Sequence, residues 1–147
     1  MVYTELTKRA MIIAEEKHRG QVDKNGYPYI FHPFTVASKM EDEVSCAVAL
    51  LHDVVEDTGT SFEELKERGI TDEVIKHLRL VTHDKKVPYL DYVRNMLGDE
   101  VAMRVKVADL SHNSDLSRLK KVTPADLERV KKYEQAKKII LDYINNN

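Results

Sequence analysis

The sequence predicts an all-α fold formed by a single domain over residues 1–147. Apolar residues recur three or four positions apart in most of the chain, which is typical of helices that bury one face. Ser, Thr or Asp precedes several of these segments and Gly follows them, as at helix starts and ends. No segment alternates apolar and polar residues as a strand does, and 33% charged residues with 5 Gly and 4 Pro suit a soluble helical protein.

Three helices and one long loop are predicted in the first 60 residues. The first helix covers residues 3–18. Gly and Pro interrupt residues 19–33, where Asn25-Gly26 indicates a turn, or a tight hairpin if short strands flank it. The second helix covers residues 33–40. The third covers residues 43–55, and the next glycine ends it.

The remaining helices have clear start and stop signals. Short scaffold helices are predicted within residues 61–69, 71–83 and 89–97. Residues 99–112 are apolar on too many sides for a surface helix, so we expect this helix at the centre of the fold. A long closing helix begins at Thr123-Pro124. Its predicted buried face consists of Leu127, Val130, Tyr133, Ala136, Ile139, Ile140 and Tyr143.

Charge and composition exclude several classes of protein. The formal net charge of −2 argues against a nucleic-acid-binding or membrane-surface protein, and is compatible with a local basic pocket for a small anion. The single cysteine, Cys46, permits no internal disulfide, so we expect a reducing, cytoplasmic location. No apolar stretch reaches 18 residues and the N-terminus does not resemble a signal peptide, so no membrane span is expected.

The most unusual stretch runs from the apolar residues 44–51 directly into four ionisable groups, His52, Asp53, Glu56 and Asp57. His52 and Glu56 are four positions apart, as are Asp53 and Asp57, so two pairs of potential ligands project from one helix end. Buried imidazoles and carboxylates are tolerated when they are paired or coordinate a cation. An N-cap or salt-bridge cluster is the alternative for one such pair, and four groups beside an apolar run favour a functional site.

Three further polar residues lie in apolar or constrained surroundings. His32 precedes a proline at a predicted helix entrance, and Asp109 and Asn113 share one face of the central helix. The alternative for Asp109 is a structural carboxylate satisfied by backbone amides or by Lys106.

Together these residues indicate a metal site. Two His and two Asp side chains offer nitrogen and oxygen ligands, which suit Mn²⁺, Fe²⁺ or Zn²⁺ better than Mg²⁺ or Ca²⁺. A bound ion of this kind lowers the pKa of a water molecule, so the set indicates hydrolysis of a phosphorylated substrate. Glu56 and Asp57 would then orient that water or move its proton.

Three ordered motifs carry a resemblance to a known family. They are the loop with Gly20-Gln21, Lys24, Gly26, Pro28-Tyr29 and His32-Pro33, the block from His52 to Thr58, and the block from Lys106 to Asn113. The set His32, His52-Asp53 and Asp109 resembles the signature of the HD superfamily of metal-dependent phosphohydrolases. The three motifs together resemble the hydrolase domain of the RelA/SpoT family. The match covers nearly the whole chain and leaves no stretch for a synthetase or regulatory domain, so the chain resembles a stand-alone small alarmone hydrolase.

The resemblance implies an HD-type helical bundle, an Mn²⁺ cofactor and a small-molecule nucleotide substrate. The implied reaction is hydrolysis of the 3′-pyrophosphate of ppGpp or pppGpp to GDP or GTP and pyrophosphate. By matching positions, the metal ligands would be His32, His52, Asp53 and Asp109. The catalytic pair would be Glu56 and Asp57, and the nucleotide would be bound by Lys24, Asn25 and Asn113.

One position departs from the family pattern. Asp23 stands before Lys24, where the family usually has an arginine that can stack on the base. A carboxylate cannot make a cation–π contact, and it places like charge near a polyphosphate. Three functions therefore stay open: hydrolysis of ppGpp, hydrolysis of another phosphorylated nucleotide, and nucleotide sensing without catalysis.

The other histidines are expected outside the ligand set. His18 and His112 lie near the motifs, and we expect them to orient ligands or to bond to the backbone. His77 and His83 are predicted to be surface residues.

Overall fold

A computed structural model describes residues 1–147 of the chain. Its nine α-helices confirm the predicted all-α fold, and a short 3₁₀ turn covers Leu116–Arg118. In chain order the helices are α1 (Glu5–His18), α2 (Phe31–Ser38), α3 (Glu43–Leu51), α4 (Val54–Thr58), α5 (Phe62–Glu67), α6 (Asp72–Leu80), α7 (Tyr89–Asn95), α8 (Glu100–Asn113) and α9 (Pro124–Asn146). No helix combines the length and the apolar character that crossing a membrane requires.

Helix α3 forms the centre of the core. Every residue from Ser45 to Leu51 is buried, and α1, α2, α6 and α8 all pack against this helix. Burial of one Leu or Val side chain contributes about 1.5–3 kcal/mol, so this apolar run supplies much of the driving force for folding. Asp42 begins the helix by accepting a hydrogen bond from the amide of Ser45 at 2.8 Å.

The predicted continuous helix over residues 43–55 is wrong, because the chain breaks helical geometry at His52-Asp53. Helix α3 ends at Leu51, and α4 begins at Val54. The Nδ1–H group of His52 donates a hydrogen bond to the carbonyl oxygen of Ala49 at 2.6 Å, so the side chain satisfies a carbonyl group in the last turn of α3. The predicted stop is confirmed, since Gly59 ends α4 with a left-handed φ of 70°.

The loop between α1 and α2 contains the predicted turn. Val22 and Pro28 form a single antiparallel bridge, and the amide of Asp23 donates to the carbonyl of Tyr27 at 2.9 Å. Gly26 adopts a φ of 84°, which a residue with a Cβ atom rarely adopts. The loop is therefore hairpin-like, although it contains no continuous strand.

The buried apolar face of the closing helix contains fewer residues than the sequence predicts. Thr123 and Asp126 form a capping box at its start, as expected for a Thr-Pro beginning. Leu127 is 54% exposed, so its predicted place on the buried face is wrong. The fully buried residues of this helix are Ala136 and Ile140.

The prediction that His77 lies on the surface is also wrong, whereas His83 is half-buried. His77 is 9% exposed, and its Nδ1 atom lies 2.8 Å from an oxygen of Asp99. The ring of His83 packs 4.6 Å from the ring of Tyr92, and its Nε2 atom donates to the carbonyl of Val87. The imidazole of His77 is buried and that of His83 is half-buried, and each has a polar partner inside the fold.

Replacing Asp99 with Ala is expected to lower the free energy of unfolding by about 1–3 kcal/mol. The reason is that Asp99 accepts both from buried His77 and from the Ala102 amide at the start of α8, the latter at 2.8 Å. Urea denaturation measures the effect. Asp99→Asn is the matched control because its amide oxygen still accepts at both places, and equal stability of the Ala variant and the wild type would contradict the assigned role.

Candidate metal centre and active site

Three helical segments bring the four predicted metal ligands into one buried cluster. His32 lies in the first turn of α2, His52 and Asp53 at the break between α3 and α4, and Asp109 near the end of α8. One ligand atom each of His32, His52 and Asp109 lies within 4.8 Å of the others. Oδ2 of Asp53 lies 3.1 Å from Nε2 of His52 and 3.6 Å from Nε2 of His32. The four side chains therefore form a compact set of nitrogen and oxygen donors.

The hydrogen bonding of His52 fits a cation at the cluster. Its Nδ1 atom must carry a proton, because the Ala49 carbonyl can only accept. In the neutral ring the lone pair then lies on Nε2, a buried atom that makes no hydrogen bond although it faces the carboxylates of Asp53 and Asp109. A lone pair that faces carboxylate oxygens is repelled unless a cation or a proton lies between them. Burial opposes protonation of His52, but the two carboxylates outweigh it and raise its pKa.

His112 orients His32, as expected for a histidine next to the ligands. The two Nδ1 atoms lie 2.7 Å apart, and the rings stack with centroids 5.0 Å apart. Burial and the nearby Arg118 lower the pKa of His112 to about 4, so this ring is neutral near pH 7. A neutral His112 can accept a hydrogen bond from the Nδ1–H group of His32, which leaves the lone pair of His32 on Nε2, where it can bind a metal.

Asp109 is held by groups on its own helix and on α2. Lys106 donates to Oδ2 at 2.9 Å, while Oδ1 accepts from Asn113 at 3.0 Å and lies 2.9 Å from Nε2 of His32. Burial opposes ionisation of Asp109, but Lys106 and the two histidines outweigh it and keep its pKa well below the usual range. The sequence left open the alternative that Lys106 satisfies this carboxylate. The contact with Lys106 is compatible with a ligand role, because Oδ1 of Asp109 still faces the cluster.

Asp53 is fixed by a tyrosine from the loop. The hydroxyl of Tyr29 donates to Oδ2 at 2.7 Å. Burial opposes ionisation of Asp53, but His52 outweighs it and lowers the pKa to about 2. Burial and the charge of Asp53 raise the pKa of Tyr29, so the phenol remains a hydrogen-bond donor. Both Asp ligands are therefore ionised near neutral pH, as metal binding requires.

The two predicted catalytic acids point in different directions from α4. Glu56 lies in a cavity wall with Asp53 and Asp109, and its Oε1 atom accepts from the amide of His83. Asp57 instead accepts from the side-chain amide of Gln21 at 3.3 Å. Burial raises the pKa of both carboxyl groups, which brings each closer to the range of a group that moves protons at neutral pH.

His18 supports Asp57 through the loop. Its Nδ1 atom lies 2.8 Å from Oε1 of Gln21, which can only accept, so Nδ1 carries the proton. This hydrogen bond turns the amide group of Gln21 toward Asp57. His18 is 2% exposed and belongs to the support of the site, as its sequence position suggests.

A cavity beside the cluster is closed by the loop, the 3₁₀ turn and α9. We call it the loop cavity. It is lined by Asp23, Lys24, Asn25, Tyr29, His32, Asn113, Asp115, Leu116, Arg118, Leu119, Arg129, Val130 and Tyr133. All three residues predicted to bind a nucleotide, Lys24, Asn25 and Asn113, therefore face one space.

Two of these residues also hold the loop in place. Lys24 forms an ion pair with Asp126 at 2.8 Å, and the side chain of Asn25 donates to the carbonyl of Arg118 at 2.6 Å. Asp23 accepts from the amides of Asn25 and Tyr27 at 2.8 and 3.0 Å, so its carboxylate stabilises the turn.

A second cavity lies on the side of the cluster next to α7. We call it the tyrosine cavity. It is lined by Tyr29, Asp53, Glu56, Val81, His83, Tyr89, Tyr92, Lys106, Asp109, Asn113, Lys132 and Tyr133. The two cavities share Tyr29, Asn113 and Tyr133, so the ligand cluster lies where they meet.

Comparison with known proteins agrees with this geometry. The family model of the HD domain matches residues 10–142, which is most of the chain. The chain belongs to the HD-domain family. The resemblance seen in the sequence motifs is thereby confirmed, and the HD fold accounts for the position of the ligand cluster at the centre of the helical bundle.

Individual HD-domain relatives differ greatly in length. The chain is 43% identical over 91 residues to a guanosine-3′,5′-bis(diphosphate) 3′-pyrophosphohydrolase of Aquifex aeolicus, a match covering 59% of this chain but only 13% of that protein. It is 38% identical over 136 residues to the enzyme MESH1 of Danio rerio, covering 82% of this chain and 73% of that protein. A solved structure described as a metazoan ortholog of SpoT that hydrolyses ppGpp has a TM-score of 0.73 and 28% identity, covering 97% of this chain and 87% of that one.

Several residues of this HD-domain site are missed by sequence reasoning. Tyr133 lines both cavities, although its apolar spacing on α9 predicts only a buried face. Arg129 lines the loop cavity, and Lys132 lines the tyrosine cavity, although each lies in a charged stretch typical of a solvated surface. Only the tertiary packing of α9 against α7 and α8 brings these residues to the site.

Mn²⁺ is expected to raise the melting temperature of the wild-type chain but not of His52→Ala. The reason is that an ion bound only by the folded state stabilises it by about 2.7 kcal/mol at a concentration of 100 times Kd. Differential scanning fluorimetry with and without Mn²⁺ measures the shift. His77→Gln is the control, since this histidine is bound to Asp99 outside the cluster. An equal shift in His52→Ala would remove His52 from the ligand set.

Proposed function

We propose that the chain hydrolyses the 3′-pyrophosphate of ppGpp or pppGpp, giving GDP or GTP and pyrophosphate, in the cytoplasm. The main support is that the buried donor cluster, the acid Glu56 and a cavity fit for a nucleoside adjoin one another. The relatives named for this activity agree with the proposal, and one of them is matched over 73% of its length.

The proposed cofactor is Mn²⁺, bound by His32, His52, Asp53 and Asp109. The mixed nitrogen and oxygen donors, and the unbonded Nε2 atom of His52, fit a divalent transition metal. Such an ion, when bound, lowers the pKa of a water molecule and polarises a phosphoryl oxygen. The chain supplies the geometry, because Tyr29, His112 and Lys106 each hold one ligand in place.

Glu56 is the proposed proton carrier. The water oxygen attacks the phosphorus attached to the 3′ oxygen, the bond from phosphorus to that oxygen breaks, and the 3′ oxygen takes a proton. Glu56 can accept the proton of the water and return it to the 3′ oxygen, because burial brings its pKa toward neutrality. Asp57 is proposed to assist, although its contact with Gln21 directs it to the other side of α4.

The loop cavity is the proposed site of the nucleoside. Leu116, Leu119, Val130 and Tyr133 offer apolar surface to a base, while Asn25 and Asn113 offer amides. Lys24 and Arg129 both bond to Asp126, so their charges are already partly neutralised at the rim.

Asp23 favours keeping a second candidate, hydrolysis of another phosphorylated nucleotide by the same centre. Its carboxylate lines the loop cavity, where negative charge disfavours a 5′-diphosphate. Its two hydrogen bonds to the turn give Asp23 a structural role. Its presence therefore does not require a different substrate, and ppGpp remains the first candidate.

The first experiment is to incubate the purified chain with ppGpp, with and without Mn²⁺, and to follow GDP and pyrophosphate by chromatography. Release of pyrophosphate only with the metal is expected. A parallel panel of other nucleotide phosphates tests the second candidate, and tight nucleotide binding without turnover on any member would instead favour a sensor.

Glu56→Gln is expected to lower the rate constant for ppGpp hydrolysis by about 10² or more, as for loss of a general acid–base group. The amide oxygen can still accept from the amide of His83, so the loop contact is retained. Metal binding, measured by calorimetry, should stay unchanged. A variant as fast as the wild type would exclude Glu56 from proton transfer.

Asp23→Asn is expected to lower KM for ppGpp about two- to fivefold, because removal of one partly exposed like charge contributes less than about 1 kcal/mol. The amide oxygen retains the hydrogen bonds to the turn, so the change tests charge rather than loop structure. Steady-state kinetics measures KM. A higher KM would show that the negative charge helps to bind the substrate.

A further inference from the structure

The tyrosine cavity contains two lysines, of which Lys132 has no role in the proposed reaction. Lys106 and Lys132 both line its wall, next to the ligands Asp53 and Asp109. The two lysines come from different helices, α8 and α9. Two cations in a cavity beside a phosphate-reacting centre indicate an anion site.

Lys106 is buried and committed to a ligand. Its side chain is 12% exposed, and its ammonium group donates to Asp109 at 2.9 Å. The same nitrogen lies 5.7 Å from the ring centroid of Tyr89 and 5.2 Å from that of Tyr92. One carboxylate oxygen satisfies only part of the bonding capacity of a buried ammonium group, which has three N–H donors.

Lys132 carries a positive charge that no carboxylate neutralises. Its nitrogen lies 4.3 Å from the ring centroid of Tyr89, and no carboxylate of the chain lies within 4.0 Å of it. Tyr89 is therefore flanked by both lysines, and their nitrogens are at most about 10 Å apart, since each lies near one ring. An anion between them would relieve their mutual repulsion.

The opposite charges in this cavity come from three carboxylates. They belong to Asp53, Asp109 and Glu56, and the imidazole of His83 faces the same space. A divalent ion on the first two would leave the cavity, with its two lysines, positively charged. In the loop cavity the charges balance, because Lys24 and Arg129 bond to Asp126, and Arg118 lines the same space as the carboxylates of Asp23 and Asp115.

We propose that the tyrosine cavity binds the diphosphate group of the substrate, with Lys132 contacting its terminal phosphate. The inference rests on the proposed function and adds a determinant of specificity. Lys132 distinguishes a 3′-diphosphate from a 3′-monophosphate, because only the former extends a second phosphate past the ligand cluster. After the bond to the 3′ oxygen breaks, the pyrophosphate remains in this cavity and the nucleoside in the loop cavity.

The test compares Lys132→Met with Lys131→Met, in the Mn²⁺-loaded chain. Methionine keeps an unbranched apolar side chain at each position, and Lys131 is an exposed neighbour on α9 outside the cavity. Hydrolysis is measured with guanosine 5′-diphosphate carrying either a 3′-diphosphate or a 3′-monophosphate. Binding of inorganic pyrophosphate is measured separately by calorimetry.

Loss of one charge-assisted hydrogen bond predicts about a tenfold or larger drop in pyrophosphate affinity for Lys132→Met. The value of kcat/KM should fall by a similar factor for the 3′-diphosphate and by less than about twofold for the 3′-monophosphate. Lys131→Met should match the wild type. Equal losses on both nucleotides, or unchanged pyrophosphate binding, would overturn the proposal.

The two proposals fail in different ways. If the wild-type chain hydrolyses ppGpp and the Lys132→Met variant behaves like the wild type, the proposed function stands and the proposed diphosphate site is excluded. If the wild-type chain releases no pyrophosphate from ppGpp, the proposed function itself is excluded. Pyrophosphate binding that depends on Lys132 in such a chain would show an anion site that serves another reaction, which also overturns the inference as stated.

Discussion

The structure depends on placing two imidazoles and two carboxylates together inside an apolar core. Each of these groups would be costly to bury alone, so the fold gives each one a partner. Tyr29 holds Asp53, Lys106 holds Asp109, and His112 holds His32. The apolar helix α3 and the helices around it offset the cost, and within the cluster the Nε2 atom of His52 has no hydrogen-bond partner in the protein.

The break between α3 and α4 is the local condition for this cluster. Adjacent residues in a regular helix project about 100° apart, so His52 and Asp53 could not face one point in a continuous helix. With the break, Oδ2 of Asp53 lies 3.1 Å from Nε2 of His52. Within α4 the regular step of about 100° per residue separates Glu56 from Asp57, so one faces the tyrosine cavity while the other contacts Gln21.

Local patterns predict the helices and the ligand types, but not how the helices pack. Thr4, Thr123 and Gly59 mark helix ends in the sequence because capping depends on a few neighbouring residues. The four predicted ligands are recognisable because ionisable residues in apolar segments are rare. Burial of His77 and the role of Lys132 could not be predicted, since each depends on a residue distant in sequence, Asp99 in one case and Tyr89 in the other.

The near-neutral charge of the chain is compatible with a polyanionic substrate because charges in water are screened within about 8 Å at physiological ionic strength. The net charge of −2 therefore matters less than the few charges that line each cavity. In the loop cavity, Asp126 bonds to both Lys24 and Arg129, and Arg118 lines the same space as Asp23 and Asp115. The charges there balance, which suits an uncharged base and ribose. In the tyrosine cavity, Lys132 has an aromatic ring instead of a carboxylate as its partner, so its charge remains available. This division of charge would orient the proposed substrate across the cluster, with its reacting phosphorus where the two cavities meet.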